Sequence, residues 1–174
     1  MQRLACRPFR LANEKVYGTE VNITEAREIY PSDNIEGGHA GVYSYQQTAQ
    51  TVEDQVINAF VNGDMNALKD AIQAAIPNGP TILYMRFSWN QNGNTISDLA
   101  VGFVMSANQA FTANQLMDAA KSVSWFGNFY NACDMGPIRA WTLTVGPGGG
   151  GIPLELLVMA GVIVAVFVVI VAKR

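Results

Sequence analysis

The longest hydrophobic run of the chain covers residues 156–172, which contain no charged or strongly polar side chain. With residues 152–155 added, a helix rising 1.5 Å per residue reaches about 30 Å, the thickness of a bilayer's hydrocarbon core. A strand of this length would far exceed the usual five or six residues or so. The pattern therefore predicts a transmembrane helix over residues 154–172. The apolar side chains expected to anchor it are Leu156, Leu157, Val158, Val162, Ile163, Val166, Phe167, Val169 and Ile170.

The segments on either side support this interpretation. Residues 146–153 form a Gly/Pro linker, with a hinge expected at Gly148, Gly149, Gly150 and Gly151. The basic tail, residues 173–174, suits the negative C-terminal end of a helix and the lipid headgroups. Because the N-terminus shows no signal peptide, we expect the domain to face the cytoplasm, or the capsid in a virion. The positive-inside rule, applied to the basic tail, argues for the opposite orientation.

Between residues 51 and 145 the apolar pattern changes between helical and strand periods. Helical spacing predicts a helical pair over residues 51–76 and another helix from Thr112, where Thr112 and Gln115 form a capping box. Residues 81–89 and 95–107 predict a hairpin around the turn at Asn92-Gly93, and residues 138–145 a third strand. This order predicts an α+β domain with a small, mainly antiparallel sheet of three or more strands and helices on one face.

Residues 1–50 carry several turn signals and only partial alternation. They are predicted to form an extended or partly ordered N-terminal arm.

Composition restricts the function. A formal net charge of −3 leaves no basic surface for nucleic acid, so no nucleic-acid partner is expected. The two cysteines, Cys6 and Cys133, are too few for a disulfide framework or a four-ligand metal site, although one bridge between them stays open. The single histidine, His39, lies in a glycine-rich turn. Since no phosphate loop, dinucleotide fingerprint or metal-ligand spacing is present, we expect no catalytic residue, no cofactor and no metal.

An aromatic cluster follows the Thr112 helix. Its members are Trp125, Phe126, Phe129 and Tyr130. Aromatic clusters are more often core than ligand site, and core is the preferred interpretation. The alternative is a surface that binds a partner protein.

These features predict a non-enzymatic, single-pass membrane subunit that tethers a larger protein assembly to a bilayer. A minor capsid protein that links the shell and the internal membrane of a virus has this layout, and so does an accessory subunit of a cellular complex. The expected partners are the bilayer and other protein subunits. Two alternatives stay open: an exported surface protein with a C-terminal anchor or sorting signal, favoured by the sequon at residues 22–24, and a membrane-tethered enzyme with an unrecognised site.

Overall fold

The computed structural model describes residues 13–147, which form an antiparallel sheet with four helices. In chain order the elements are β1 (Asn13–Gly18), β2 (Ile23–Ile29), β3 (His39–Tyr45), β4 (Gln50–Thr51), α1 (Asp54–Val61), α2 (Met65–Ala75), β5 (Pro80–Asn92), β6 (Thr95–Ala107), α3 (Ala113–Lys121), α4 (Ser124–Ala132) and β7 (Arg139–Val145). The predicted α+β class and antiparallel sheet are confirmed.

The predicted transmembrane helix and the Gly148–Gly151 hinge lie outside the described residues, as do residues 1–12 of the predicted arm. Within residues 13–147, no helix is both long and apolar enough to cross a bilayer.

The strand order is β1-β5-β6-β3-β7-β2, and β4 pairs with the first residues of β6. The β5–β6 hairpin lies inside this sheet, and Asn92 stands opposite Thr95 at its turn, as the Asn92-Gly93 signal predicts. Gly93 has a φ of 57°, a left-handed conformation that favours glycine.

The N-terminal half of the sheet differs from the expected arm. Residues 13–51 supply four strands, and β3 lies between β6 and β7 with five of its seven residues buried. The sequence pattern did not predict these strands. Glycines lie near β3, and β2 is an edge strand with charged side chains on both faces, which gives no period-2 pattern of apolar residues. The ordered domain therefore includes most of the stretch assigned to the arm.

The helices pack on one face of the sheet. Buried residues of all four helices, such as Phe60, Leu68, Leu116 and Phe126, belong to one apolar cluster with Phe87 and other inward residues of the strands. Alternation along β5 and β6 places these apolar positions on the side that faces the helices.

The other face has a smaller apolar cluster of its own, in which large aromatic residues stand opposite glycine. Tyr43 is paired with Gly102, Trp141 with Gly41 and Tyr84 with Gly18. A Cβ at Gly41 would lie 3.3 Å from the Leu143 side chain, and one at Gly18 would meet the backbone oxygen of Leu83. The three aromatic residues are buried on a face that carries no helix, where Tyr43 and Trp141 stack on each other.

The described chain starts and ends at opposite ends of the strands. The register through β5 and β6 places Asn13 at the Tyr45 end of β3. Val145 lies beyond His39, at the other end of β3. With about 3.3 Å per residue, the two positions are about 30 Å apart along the strand direction.

Candidate assembly surfaces

The aromatic cluster around α4 is part of the core. The exposed fractions of Phe126 and Phe129 are 0% and 1%, and Tyr130 is buried as well. The ring of Phe129 stacks on Phe60 of α1 with 3.8 Å between centroids. These three residues therefore do not form the partner surface considered from the sequence, and the core interpretation is the correct one. Trp125 is only partly buried and packs at the edge of this core.

Trp125 covers the turn between α1 and α2. A Cβ atom at Gly63 would lie 2.2 Å from the Trp125 ring, so the close contact requires glycine. The ammonium of Lys15 lies 4.9 Å from the centroid of the same ring, within cation–π range.

Lys15 of β1 binds the C-terminal end of α1. Its Nζ donates to the carbonyl oxygens of Phe60, Val61 and Gly63 at 2.7, 2.9 and 2.6 Å. The last carbonyls of a helix have no intrahelical partner and carry the negative end of the dipole, so a cation is favourable there. Burial lowers the pKa of Lys15, and the Coulomb attraction of Asp64 opposes this shift. One side chain thus joins an edge strand to the helical layer.

On the face without helices, Arg139 joins β7 to the edge strand β2. Tyr43 and Trp141 stack with their centroids 4.7 Å apart, and the Arg139 guanidinium lies 5.9 and 5.2 Å from the two ring centroids. Arg139 Nε donates to Glu28 at 2.8 Å, and this bond raises the pKa of Arg139. The arrangement is an aromatic stack under a paired cation, which holds β2 against the sheet.

A pocket of about 360 Å³ lies beside this ion pair. It is lined by Glu28, Ile29, Tyr30, Pro31, Ile138 and Arg139. Tyr30 is 76% exposed, which is unusual for a large aromatic residue. The two charged residues of the lining, Glu28 and Arg139, pair with each other across 2.8 Å.

At the other end of the same face, Asp98 accepts two hydrogen bonds. The Tyr45 hydroxyl donates at 2.9 Å, and so does the Asn90 amide. Asp98 has a φ of 55°, where the register between β5 and β6 shifts. Burial and the hydrogen bond to Asp98 raise the pKa of Tyr45 to about 12. The group holds an irregular part of the hairpin in place.

The structure separates the residues with catalytic potential. Cys133 is a free thiol in the helix-side core, and burial raises its pKa to about 12, so it stays a neutral thiol near pH 7. His39 pairs with Leu143, whose side chain belongs to the opposite face. Within residues 13–147, no three His, Cys, Asp or Glu side chains are grouped to hold a metal ion. Cys6 lies outside the described residues.

The last surface is the outer edge of β2. Among the described strands β2 pairs only with β7, so its other edge carries backbone groups without a strand partner. Glu25, Ala26 and Arg27 are exposed along this edge. The sequence pattern predicts an arm for these residues. The signal that could have indicated an exposed strand edge is the presence of charged side chains at Glu25 and Arg27, two positions apart.

The chain was compared with known protein families, with characterised proteins and with solved structures, and none of the three comparisons finds a match.

Proposed function

We propose that this protein is a non-enzymatic, single-pass membrane-anchored structural or accessory subunit that tethers a larger protein assembly to a bilayer. A minor capsid protein that ties the shell of a virus to its internal membrane is one example. The observation that carries the proposal is the position of Asn13 and Val145 at opposite ends of the strands. The segments that continue from the two positions therefore start about 30 Å apart along the strands.

The C-terminal attachment suits a tether. Val145 ends β7, which is hydrogen-bonded on both sides, to β3 and to β2. Beyond it come the Gly/Pro linker and the apolar run over residues 154–172. An anchor joined to an internal strand transmits load to two neighbours, whereas one joined to an edge strand would load a single ladder.

The N-terminal attachment supports a second contact. The chain before Asn13 carries Arg3, Arg7 and Arg10 and joins β1, which Lys15 fixes to α1. In a protein with a formal net charge of −3, this basic stretch suits an acidic protein surface at the end away from the linker.

Flotation of the full-length chain with lipid vesicles tests the anchor. The variant Val162→Arg/Val166→Arg places two charges in the apolar run, at a cost of roughly 2.5–3.5 kcal/mol each near a helix centre. The matched control, Val16→Arg/Val61→Arg, places the same charges at domain positions that are each 46% exposed. We expect the wild type and the control to float and the span variant to stay at the bottom of the gradient. Flotation of all three, or of none, contradicts the proposal.

Mild detergent extraction followed by cross-linking mass spectrometry tests the tether. We expect the protein to co-purify with other subunits, with cross-links from the segment before Asn13 to a subunit outside the bilayer. A domain recovered alone from every preparation contradicts the proposal. Protease protection of sealed vesicles distinguishes an exported surface protein, whose domain would be digested from outside.

A further inference from the structure

The hydrogen-bond pattern shows which backbone groups of β2 point outwards. Ala107 N donates to Gly38 O, which identifies His39 and its partner on β6 as a non-hydrogen-bonded pair. The amide and carbonyl of His39 therefore face β7, where its partner is Leu143. Backbone groups alternate in direction along a strand, so the amide and carbonyl of the next residue, Thr144, face β2. Thr144 pairs with Glu25, so Glu25 points its backbone groups inwards and Ala26 points them outwards.

The charges beside Ala26 are self-complementary. In an antiparallel pairing of two copies of β2 with Ala26 opposite Ala26, Glu25 of each copy stands opposite Arg27 of the other. Both pairs lie on one face of the joined sheet, because Glu25 and Arg27 are two positions apart along the strand and side chains alternate between faces. Opposite charges directly across a ladder stabilise the pairing.

Other centres of symmetry lack this match. A two-fold axis at Glu25, Arg27 or Glu28 would place that charged residue opposite its own copy, which is unfavourable. A hydrogen-bonded pair forms at the axis only if the residue there points its amide and carbonyl groups outwards, as Ala26 does. Charge and backbone thus select the same register.

We propose that two copies of this protein pair through the outer edges of β2, about a two-fold axis at Ala26, and form one continuous sheet. The paired edge is short, well below the interface area of a stable dimer in solution, so co-anchoring in one bilayer supplies the effective concentration. In this respect the inference rests on the proposed membrane function.

The position of the linkers agrees with two anchors in one membrane. Val145 pairs with Ile23, three residues before Ala26, so each linker starts about 10 Å from the axis along the strand and about 7 Å across it. Residues 146–153 reach up to about 26 Å when extended. Both anchors can therefore enter the same bilayer with the two-fold axis, which is perpendicular to the joined sheet, along the bilayer normal. The strands then run parallel to the bilayer, and the segment before Asn13 starts about 30 Å from the linker along the membrane surface.

Cysteine cross-linking in vesicles tests the axis. In a Cys6→Ser background, Ala26→Cys places two thiols on a pair whose Cα atoms are about 5.5 Å apart, within the range of a disulfide. The control Thr24→Cys lies on the same exposed strand, but its two copies would be several residues apart. Mild oxidation should convert Ala26→Cys to a disulfide dimer at a lipid-to-protein ratio at which Thr24→Cys stays monomeric. Equal cross-linking of the two variants overturns the inference. So does the absence of an Ala26→Cys dimer in protein that floats, a result that leaves the proposed anchor intact.

Charge reversal tests the register and separates pairing from a merely protective role of the edge charges. Glu25→Arg and Arg27→Glu each turn two attractive pairs into two repulsive ones, and should lower the yield of Ala26→Cys dimer roughly tenfold. The double reversal restores opposite charges and should recover the yield to within about threefold. A double variant no better than the singles overturns the inference. If the chain fails to float, a C-terminal His tag on the full chain and vesicles with nickel-chelating lipid supply the same effective concentration without the anchor, and equal cross-linking of Ala26→Cys and Thr24→Cys there overturns the pairing separately.

Discussion

Replacement of Lys15 by methionine should destabilise the domain although Lys15 lies on an edge strand. Methionine keeps the length of the aliphatic chain but removes the ammonium donor of the Phe60, Val61 and Gly63 carbonyls, of which Phe60 O keeps a backbone bond from Gly63 N at 3.2 Å. Hydrogen bonds to a charged group contribute about 1.5–3 kcal/mol, and the cation–π contact with Trp125 adds about 0.5–1 kcal/mol. The three bonds share one ammonium, and its burial, which lowers the pKa of Lys15, offsets part of the gain. We expect a net loss of about 2–3 kcal/mol.

Urea unfolding followed by tryptophan fluorescence measures this loss, since Trp125 and Trp89 both border the affected region. The matched control is Lys69→Met on α2, whose ammonium pairs with the exposed Asp70, so its removal should cost much less than that of Lys15. If Lys15→Met costs no more than the control, water satisfies the three carbonyls equally well and the reasoning is refuted.

Three further predictions concern packing and titration. Gly63→Ala should lower the free energy of unfolding, measured with heat or urea, by about 1–3 kcal/mol, because the new Cβ meets the Trp125 ring. A second change, Trp125→Leu, should recover part of that loss. Equal stability of Gly63→Ala and wild type would contradict the contact. The raised pKa of Tyr45 means that its neutral form stabilises the fold below pH 10, and this stability is lost as pH rises towards about 12; Tyr45→Phe should therefore show a smaller fall in urea midpoint above pH 10 than wild type. In a Cys6→Ser background, the Cys133 thiol should react with maleimide only in denaturant, and rapid labelling of the native protein would show that its burial is wrong.

The local signals in the C-terminal part of the domain predicted its elements well. The β5–β6 hairpin follows from β-branched and aromatic residues around Asn92-Gly93, and the capping box of Thr112 and Gln115 is formed as expected. Asp64 caps α2 by accepting from Asn66 N. In each case the residues that specify the element also form its contacts.

Elements that depend on distant partners could not be predicted in this way. The β3 segment reads as a turn, and it becomes a central strand only because β6 and β7 pair with both its edges. Gly41 looks like a strand breaker in sequence, yet it stands opposite Trp141 within the sheet, and a Cβ there would lie 3.3 Å from the Leu143 side chain. α4 was hidden for a similar reason, since its aromatic residues match either a helix or a strand and their burial depends on α1.

The candidate surfaces show the same division. The aromatic cluster was recognised, and its preferred interpretation as core was correct, since Phe126 and Phe129 pack inside the domain. The role of Lys15 had no sequence signal, because its three acceptors are backbone carbonyls some 45 residues further along the chain. The anchor and hinge predictions stay predictions, since those residues lie outside the described range.

The position of β7 has a consequence for the order of folding. β7 is the last described strand in the chain, yet it fills the place between β3 and β2, and its contact from Arg139 to Glu28 joins residues 111 positions apart. Until β7 is synthesised, β3 lacks a neighbour on one side and β2 has no partner among the described strands. The local β5–β6 hairpin can form early, whereas the N-terminal strands stay exposed to wrong pairing until β7, the strand nearest the apolar run over residues 154–172, has been synthesised. A nascent chain of this protein is therefore most in need of a chaperone just before its apolar segment emerges.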